Sequence, residues 1–239
     1  LHTVHQNKAV IGLSGGLDST LALLVTVEAF KKAHFDLKGI TAITLPAFGT
    51  SQRTHDNAKL LAEELGVSFE EINIKDTLVS HFRDINHDLD NHNVTYENAQ
   101  ARERTQVLMD IANDCNSLMV GTGDLSELCL GWCTYNGDHM SMYGVNASIP
   151  KTLVRYLCEG YALLHPETKK SLEDIVATPI SPELLPTDKN GNIAQMTEDK
   201  VGPYELNDFF IYHFLRFGYR PKKLLKIALE AYQGKYDKE

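Results

Sequence analysis

The chain has little cysteine and no long apolar run. Its 239 residues hold four cysteines and no CxxC pair, so the sequence indicates neither a disulfide framework nor a zinc ribbon. No apolar run approaches the ~20 residues that a membrane span requires, and the N-terminus lacks the order of charged, apolar and small residues that marks a signal peptide. We therefore expect a cytoplasmic protein with no membrane partner.

Basic residues are also in the minority. The 23 lysines and arginines face 32 aspartates and glutamates, which gives a formal net charge of -9 at pH 7. A protein that binds duplex nucleic acid needs a basic footprint, so we expect no nucleic acid partner, although a local phosphate site is not excluded. The length of the chain favours one large domain over two small ones.

What the chain does have is a regular alternation of short β-branched runs and amphipathic periods. Strands are predicted at 8–13, 39–45, 67–74 and 117–122, and helices at 17–32, 54–65, 98–115, 204–217 and 221–232. This βαβ order predicts an α/β fold with a parallel sheet, in which binding residues gather at the carboxyl ends of the strands. Two segments lack a clear period, and we predict a binding loop at 123–150 and a mobile surface loop at 178–202.

The sharpest motif joins the first strand to the first helix and has the sequence Ser14-Gly15-Gly16-Leu17-Asp18-Ser19. Glycines let backbone N–H groups approach an anion, and the helix N-terminus and the two serine hydroxyls add further donors. The motif has neither the lysine of a Walker A loop nor the spacing of a dinucleotide fingerprint. Asp18 would repel a bare phosphate, so it indicates either a bridging Mg²⁺ or an acid that stabilises the helix start in an ordinary tight turn.

This motif after a strand resembles the SGGxDS pyrophosphate-binding loop of the ATP pyrophosphatase superfamily, whose members adenylate a substrate oxygen and release pyrophosphate. Three further stretches, at 98–104, 120–127 and 131–138, are similar to NAD synthetase, and the continuation at 139–152 resembles its glutamine-dependent branch. The resemblance implies a Rossmann-like, doubly wound parallel sheet of the adenine nucleotide alpha hydrolase type. It also implies a single domain over 1–239 with a helical part from about 204.

The same resemblance implies the reaction and the partners. The expected substrates are ATP, deamido-NAD and ammonia, with Mg²⁺ as the cofactor. The glutamine-dependent branch carries an N-terminal glutaminase domain, which we expect to lie outside this chain. Because the active site of the family is commonly completed across a homodimer, we also expect a homodimer or a higher homo-oligomer, with the segment at 76–98 near the interface. The alternatives are a GMP-synthetase-like ATP pyrophosphatase and a non-catalytic nucleotide-binding module.

Site residues also follow from the resemblance. Asp18 and Lys151 are the expected catalytic residues, and Asp18 and Glu127 are the expected Mg²⁺ ligands. The expected ATP contacts are Gly12, Leu13, Ser14, Gly15, Gly16, Leu17, Asp18, Ser19, Thr122, Lys151 and Ser181. The expected deamido-NAD contacts are Asn98, Arg102, Glu127, Trp132, Cys133, Thr134, Tyr135 and Asp138.

The residues by themselves leave other roles open. Arg102 could form a surface salt bridge on its helix, Lys151 could be a solvated lysine at a helix start, and Trp132 could be a packing residue. Arg104 follows Arg102 by two positions, so we expect it to face another side of the helix and to be structural.

Overall fold

A computed structural model describes residues 2–49, 51–178, 184–185 and 197–236. Its centre is a sheet of five parallel strands in the order β3-β2-β1-β4-β5. The strands are β1 (Ala9–Gly12), β2 (Ile40–Thr44), β3 (Ser68–Glu71), β4 (Leu118–Gly121) and β5 (Tyr143–Gly144). The predicted α/β fold with a doubly wound parallel sheet is confirmed, and β5 was not among the predicted strands.

Helices cover both faces of this sheet. They are α1 (Leu17–Ala33), α2 (Gln52–Glu64), α3 (Lys75–Asp84), α4 (Val94–Asp114), α5 (Leu125–Leu130), α6 (Lys151–Leu164), α7 (Lys169–Ala177), α8 (Glu198–Val201), α9 (Tyr204–Phe217) and α10 (Pro221–Ala231). None of the described helices is long and apolar enough to cross a membrane.

Strand β1 divides the core because successive side chains of a strand point to opposite faces. Ala9 and Ile11 pack in a cluster with residues of α1, α2, α6 and α7, whereas Val10 packs in a second cluster with residues of α3 and α4. A strand that is buried on both faces needs an uninterrupted apolar run. The run Ala-Val-Ile in β1 meets that need and predicts its central position.

The strands that follow β1 and the strand that follows β4 lie on opposite sides of this central pair. From β1 the order runs to β2 and β3, while from β4 it runs to β5. Their carboxyl ends therefore form a topological switch point, where open parallel sheets leave a crevice. The glycine turn follows β1 at this edge, and residues 122–124 follow β4.

Helix α4 begins at Val94, four residues before its predicted start. The side chain of Asn93 accepts hydrogen bonds from the N–H groups of Thr95 and Tyr96, which satisfies two of the unpaired donors at the helix start. The C-terminal helices agree better with their prediction: α9 has the predicted bounds, and α10 ends one residue earlier than expected.

The prediction of an unpatterned loop at 123–150 is wrong for part of its length. Helix α5 lies within it and begins with a capping box, in which Asp124 accepts from the N–H of Glu127 and the Glu127 carboxylate accepts from the N–H of Asp124. Six residues are too few to show a helical period, but an acid followed three positions later by glutamate is itself a helix-start signal. Of the loop predicted at 178–202, residues 198–201 form α8, whereas 179–183 and 186–196 lie outside the described residues.

Candidate active site

A cavity of about 520 Å³ lies at the carboxyl edge of the sheet between β1 and β4. Its walls come from the glycine turn, the residues after β4, helix α4 and the loop that follows α5. Many of the residues singled out by the sequence line it: Gly12, Leu13, Ser14, Asp18, Ser19, Asn98, Thr122, Glu127, Trp132, Cys133, Thr134 and Asp138. The topology thus brings together residues that are more than a hundred positions apart.

The glycine turn is held by its own side chains. The hydroxyls of Ser14 and Ser19 are 3.1 Å apart, and Ser14 Oγ accepts from the N–H of Gly16 at 3.2 Å. Gly15 has a φ of 85°, and a Cβ on this residue would lie 2.1 Å from the carbonyl oxygen of Thr54 in α2. Only glycine therefore fits at this position. The turn presents hydroxyls and backbone donors at the start of α1, an arrangement that suits an anion.

Beside this turn, one lysine contacts three carboxylates. The ammonium of Lys151, the first residue of α6, lies 2.5 Å from Asp18 Oδ2, 2.8 Å from Glu127 Oε1 and 3.0 Å from Asp124 Oδ2. The Lys151 side chain is 1% exposed, so it is not the solvated lysine that the sequence left open. Three carboxylates against one ammonium leave two unbalanced negative charges when all four groups are ionised.

Burial and mutual repulsion govern the protonation of this cluster. Burial raises the pKa of Glu127 to about 7 and that of Asp124 to about 6, and the charge of Asp18 adds to both shifts while Lys151 opposes them. Burial alone would lower the pKa of Lys151, but Asp18, Glu127 and Asp124 outweigh it and hold the pKa well above its usual range. Lys151 therefore stays a cation, whereas the raised pKa values of Glu127 and Asp124 mean that these two carboxylates retain protons more easily than exposed acids.

The same three carboxylates fit a divalent cation. Asp18, Asp124 and Glu127 each offer an oxygen, and these oxygens lie within 4.8 Å of one another. Asp18 Oδ1 is buried and has no hydrogen-bond partner among the described residues. Hard cations such as Mg²⁺ prefer carboxylate oxygens, and the unbalanced negative charge favours a second positive group. The sequence pointed to Asp18 and Glu127 but missed Asp124, although the capping-box pattern at the start of α5 could have drawn attention to it.

A second residue that the sequence did not single out ties the two strand ends together. The side-chain amide of Asn146 donates to the carbonyl of Asp18 at 2.9 Å and to the carbonyl of Thr122 at 3.0 Å. Asn146 is fully buried. It fixes the glycine turn relative to the end of β4, and no local pattern in the segment around it predicts this contact.

The other end of the cavity is organised around Thr134. The Thr134 hydroxyl donates to Asn98 Oδ1 of α4 at 2.8 Å, and its N–H donates to Asp138 Oδ1 at 2.7 Å. Arg102, one turn after Asn98, donates from Nε to the carbonyl of Tyr135 at 3.1 Å. These bonds attach the loop at 131–138 to one face of α4, where the sequence expected the dinucleotide contacts.

Some of the expected site residues do not line the cavity. Arg102 and the 75% exposed Tyr135 lie outside its wall, and the Arg102 contact is the loop carbonyl rather than a salt bridge on its helix. Arg104, expected to be only structural, lines the wall and donates to the carbonyl of Leu45 at 3.2 Å. The remaining ones are in or near the glycine turn or α6: Gly15, Gly16, the core residue Leu17 and Lys151.

Lys151 reaches the cavity through Asp18 and Glu127, which do line it. Ser181, an expected ATP contact, lies outside the described residues, so its expected role stays a prediction.

Comparison with known proteins gives one consistent family. The family model for NAD synthase matches residues 1–205. The glutamine-dependent NAD(+) synthetase of Mycobacterium leprae is 42% identical over an alignment of 240 residues, which covers 97% of this chain and 35% of that protein. The protein of the same name from Synechocystis is 31% identical over 237 residues and is covered to 39% of its length. The chain thus spans less than half the length of these curated relatives.

Solved structures agree with this picture. The structure of NMN synthetase from Francisella tularensis superposes with a TM-score of 0.70 at 25% identity. The superposition covers 99% of this chain and 89% of the NMN synthetase chain. A glutamine-dependent NAD(+) synthetase from Cytophaga hutchinsonii superposes with a TM-score of 0.72 at 19% identity, which supports the fold.

Proposed function

The chain belongs to the NAD synthase family, and on that premise we propose that it converts deamido-NAD to NAD with ATP and ammonia, releasing AMP and pyrophosphate. The observation that carries this proposal is the contact of Lys151 with Asp18, Asp124 and Glu127 beside the glycine turn. A buried lysine and a cation-binding set of carboxylates next to an anion-binding turn suit a polyphosphate that arrives with its metal ion.

In the proposed reaction the glycine turn binds the ATP phosphates. Its hydroxyls and the N-terminal N–H groups of α1 donate to phosphate oxygens, and Asn146 keeps the turn in place through the carbonyl of Asp18. A Mg²⁺ ion held by Asp18, Asp124 and Glu127 would neutralise the charge that develops on the leaving pyrophosphate. Because the pKa of Lys151 lies well above its usual range, this residue stabilises negative charge and does not act as a base.

The other end of the cavity positions the nucleophile. The nicotinate carboxylate of deamido-NAD attacks the α-phosphorus of ATP, which forms an adenylated carboxylate and breaks the bond to pyrophosphate. Ammonia then attacks the adenylated carbon, AMP leaves, and the nitrogen loses a proton to give the amide. Trp132 offers a flat surface to the nicotinate ring, while Asn98 and Thr134 offer hydrogen bonds. Positioning and charge neutralisation are sufficient because the nucleophile is already ionised.

The ammonia source forms part of the proposal. The relatives from Mycobacterium leprae and Synechocystis are named glutamine-dependent, and the chain covers 35% and 39% of them. This supports a glutaminase domain elsewhere in the full-length protein. We also propose that two copies of the chain associate, as the family resemblance implies.

A second substrate has a specific observation in its favour. The NMN synthetase from Francisella tularensis is covered to 89% of its length at a TM-score of 0.70, so the same fold is used by a protein whose name specifies a mononucleotide product. The acid form of nicotinamide mononucleotide is therefore the competing candidate for the site around Trp132.

One assay separates these candidates. The protein is incubated with ATP, Mg²⁺ and ammonium together with either deamido-NAD or the acid form of the mononucleotide, and AMP, pyrophosphate and the amide product are measured. We expect AMP and NAD in equal amounts with deamido-NAD and much slower turnover with the mononucleotide. Faster turnover of the mononucleotide would favour the second candidate. If neither substrate leads to release of AMP, both candidate functions are contradicted, and other members of the superfamily become the candidates.

A further inference from the structure

The N-terminus of α6, on which Lys151 stands, is capped by residues from other helices. Its N-cap residue, Pro150, has no side-chain donor or acceptor, and the structure records no side-chain cap there. The N–H of Lys151 donates instead to Ser126 Oγ at 2.9 Å, and the N–H of Thr152 donates to Asp208 Oδ2 at 2.8 Å. Two of the donors that every helix start leaves unpaired are thus satisfied from α5 and α9.

Asp208 connects these two caps. It lies on α9 and is 6% exposed, and its Oδ1 accepts a hydrogen bond from the hydroxyl of Ser126. Ser126 stands in the first turn of α5 between Asp124 and Glu127. One buried carboxylate therefore joins the starts of the two helices that carry Lys151 and two of its three acidic partners.

A neighbouring residue on α9 supports the same arrangement. Tyr204 lies one turn before Asp208 and is buried, with its ring centroid 5.5 Å from the Lys151 ammonium. The match to the NAD synthase family model ends at residue 205, so Asp208 lies beyond the matched part of the chain. Its partners are 56 and 82 positions away in the sequence, which is why no local pattern indicates the link.

We propose that Asp208 is a positioning residue for Lys151. It acts through the backbone of α6 and through Ser126, not through contact with a substrate. The ammonium of Lys151 contacts three carboxylates. On the proposed function, on which this inference rests, it must also bind the ATP phosphates. Its position then depends on a fixed backbone at the first turn of α6. Without Asp208 the N–H of Thr152 loses its acceptor and the hydroxyl of Ser126 loses the partner that orients it. The ammonium then samples more positions, and ATP binding weakens while binding at the Trp132 end is preserved.

The test compares Asp208→Asn with and without Lys151. Asparagine has nearly the same shape but offers one carbonyl acceptor in place of two carboxylate oxygens. The dissociation constant of Mg·ATP is measured by titration calorimetry, without deamido-NAD, for the unmodified chain, Asp208→Asn, Lys151→Met and the double variant. We expect Asp208→Asn to weaken binding by about fivefold, the factor that corresponds to the usual stability cost of a lost helix cap if that cost falls on the ATP-bound state. We expect Lys151→Met to weaken binding more, and the double variant to match Lys151→Met alone.

The matched control is Glu205→Gln. Glu205 is an acid on the same helix that is paired with Lys235 at the surface, and we expect its loss to leave ATP binding unchanged. In steady-state assays Asp208→Asn should raise the KM for ATP and leave the KM for deamido-NAD as it was. A purely structural defect would not separate the two constants in this way.

Several outcomes would overturn the inference. Unchanged ATP binding in Asp208→Asn would do so, and so would the same fold-loss in both backgrounds, because Asp208 would then act independently of Lys151. If Lys151→Met itself binds ATP normally, the proposed role of Lys151 fails and the positioning role fails with it. A failure to amidate deamido-NAD while the ATP results hold contradicts only the proposed reaction. If Asp208→Asn does not fold, Ser126→Ala removes the acceptor of the Lys151 N–H and must show the same non-additivity with Lys151→Met.

Discussion

The two ends of the cavity hold their residues in different ways. At the charged end, which comprises Asp18, Asp124, Glu127 and Lys151, the lysine is 1% exposed and contacts three carboxylates from the starts of α1 and α5. At the loop end, which comprises residues 131–138 and the facing side of α4, the contacts are hydrogen bonds such as Thr134 to Asn98. Tyr135 at this end is 75% exposed.

The difference follows from what each end must do. Buried ions are costly unless they are paired and hydrogen-bonded. At the charged end Lys151 contacts all three carboxylates, and Asn146 and Asp208 anchor the backbone around them. The loop end is made mostly of exposed or half-buried residues, and its hydrogen bonds are exchanged with water at a small net cost. We therefore expect substitutions at or beside the charged end to impair ATP binding and chemistry, and substitutions at the loop end to change the affinity for deamido-NAD.

Asp18→Asn is the substitution for which we expect the largest loss of activity. It removes one carboxylate from the cation-binding set and one contact of Lys151, so we expect kcat for pyrophosphate release to fall at least about a hundredfold. The fold should persist because the variant lowers the repulsion within the cluster. Pyrophosphate release and thermal unfolding are the measurements, and Glu28→Gln on the same helix is the control. Near-normal turnover in Asp18→Asn would contradict the proposal that Asp18 is a ligand of the metal ion.

Gly15→Ala and Gly137→Ala compare the two ends by the same chemical change. A Cβ at Gly15 would lie 2.1 Å from the Thr54 carbonyl oxygen, with a φ of 85°, and such strain costs about 1–3 kcal/mol. We expect weaker ATP binding there. A Cβ at Gly137 would lie 2.9 Å from Cβ and Cγ2 of Thr134, so we expect a higher KM for deamido-NAD with ATP binding preserved.

The control for this pair is Gly160→Ala in α6, where a Cβ meets nothing within 4 Å. Alanine should stabilise that helix slightly. An equal loss of ATP binding in Gly15→Ala and Gly137→Ala would show that the two ends are not separate.

Arg102→Ala tests the loop end by charge. Arg102 supports the carbonyl of Tyr135 and, on the proposed function, is available to the anionic dinucleotide. We expect the KM for deamido-NAD to rise by about tenfold, the usual value of one charge-assisted hydrogen bond, and the KM for ATP to change little. Steady-state kinetics measure both constants, with Arg83→Ala on the exposed side of α3 as the control. Equal effects on the two substrates would count against the assignment.

The last expected effect concerns stability and not catalysis: the charged end makes the free energy of unfolding depend on pH. Burial raises the pKa of Glu127 from 4.5 to about 7. Between these values the unfolded chain has lost this proton and the folded chain keeps it, so the free energy of unfolding falls as the pH rises from 4.5 to 7. Without added metal, Glu127→Gln should remove up to about 3 kcal/mol of this fall.

Urea unfolding at pH 5 and pH 8 measures this effect. The control is Glu63→Gln on the exposed side of α2, which should leave the pH dependence of the free energy of unfolding unchanged. If the free energy of unfolding depends on pH in Glu127→Gln as it does in the unmodified chain, Glu127 is not buried beside its acidic neighbours.

Local patterns predicted a good part of the fold and of the site. The apolar run before Ser14 and the period after it predicted β1 and α1, and the amphipathic period at 204–217 predicted α9 with its bounds. The same patterns missed α5, which is shorter than two helical turns, and the start of α4, which depends on the cap from Asn93. Asp18, Glu127 and Lys151 were proposed as one site from the family resemblance, and no pattern in the residues would have joined them.

The sequence by itself determined the alternation of strands and helices and the glycine turn, because hydrophobic periods and backbone conformation at Gly15 are properties of neighbouring residues. The tertiary structure decided which distant groups meet. Lys151 contacts a carboxylate 133 positions away, and Asn146 reaches the carbonyls of both Asp18 and Thr122. These contacts exist because β1 and β4 are adjacent in a parallel sheet, which places their carboxyl ends at one edge. Asp208 is reached through the packing of α9 alone, and pairing of that kind has no signature in a single sequence.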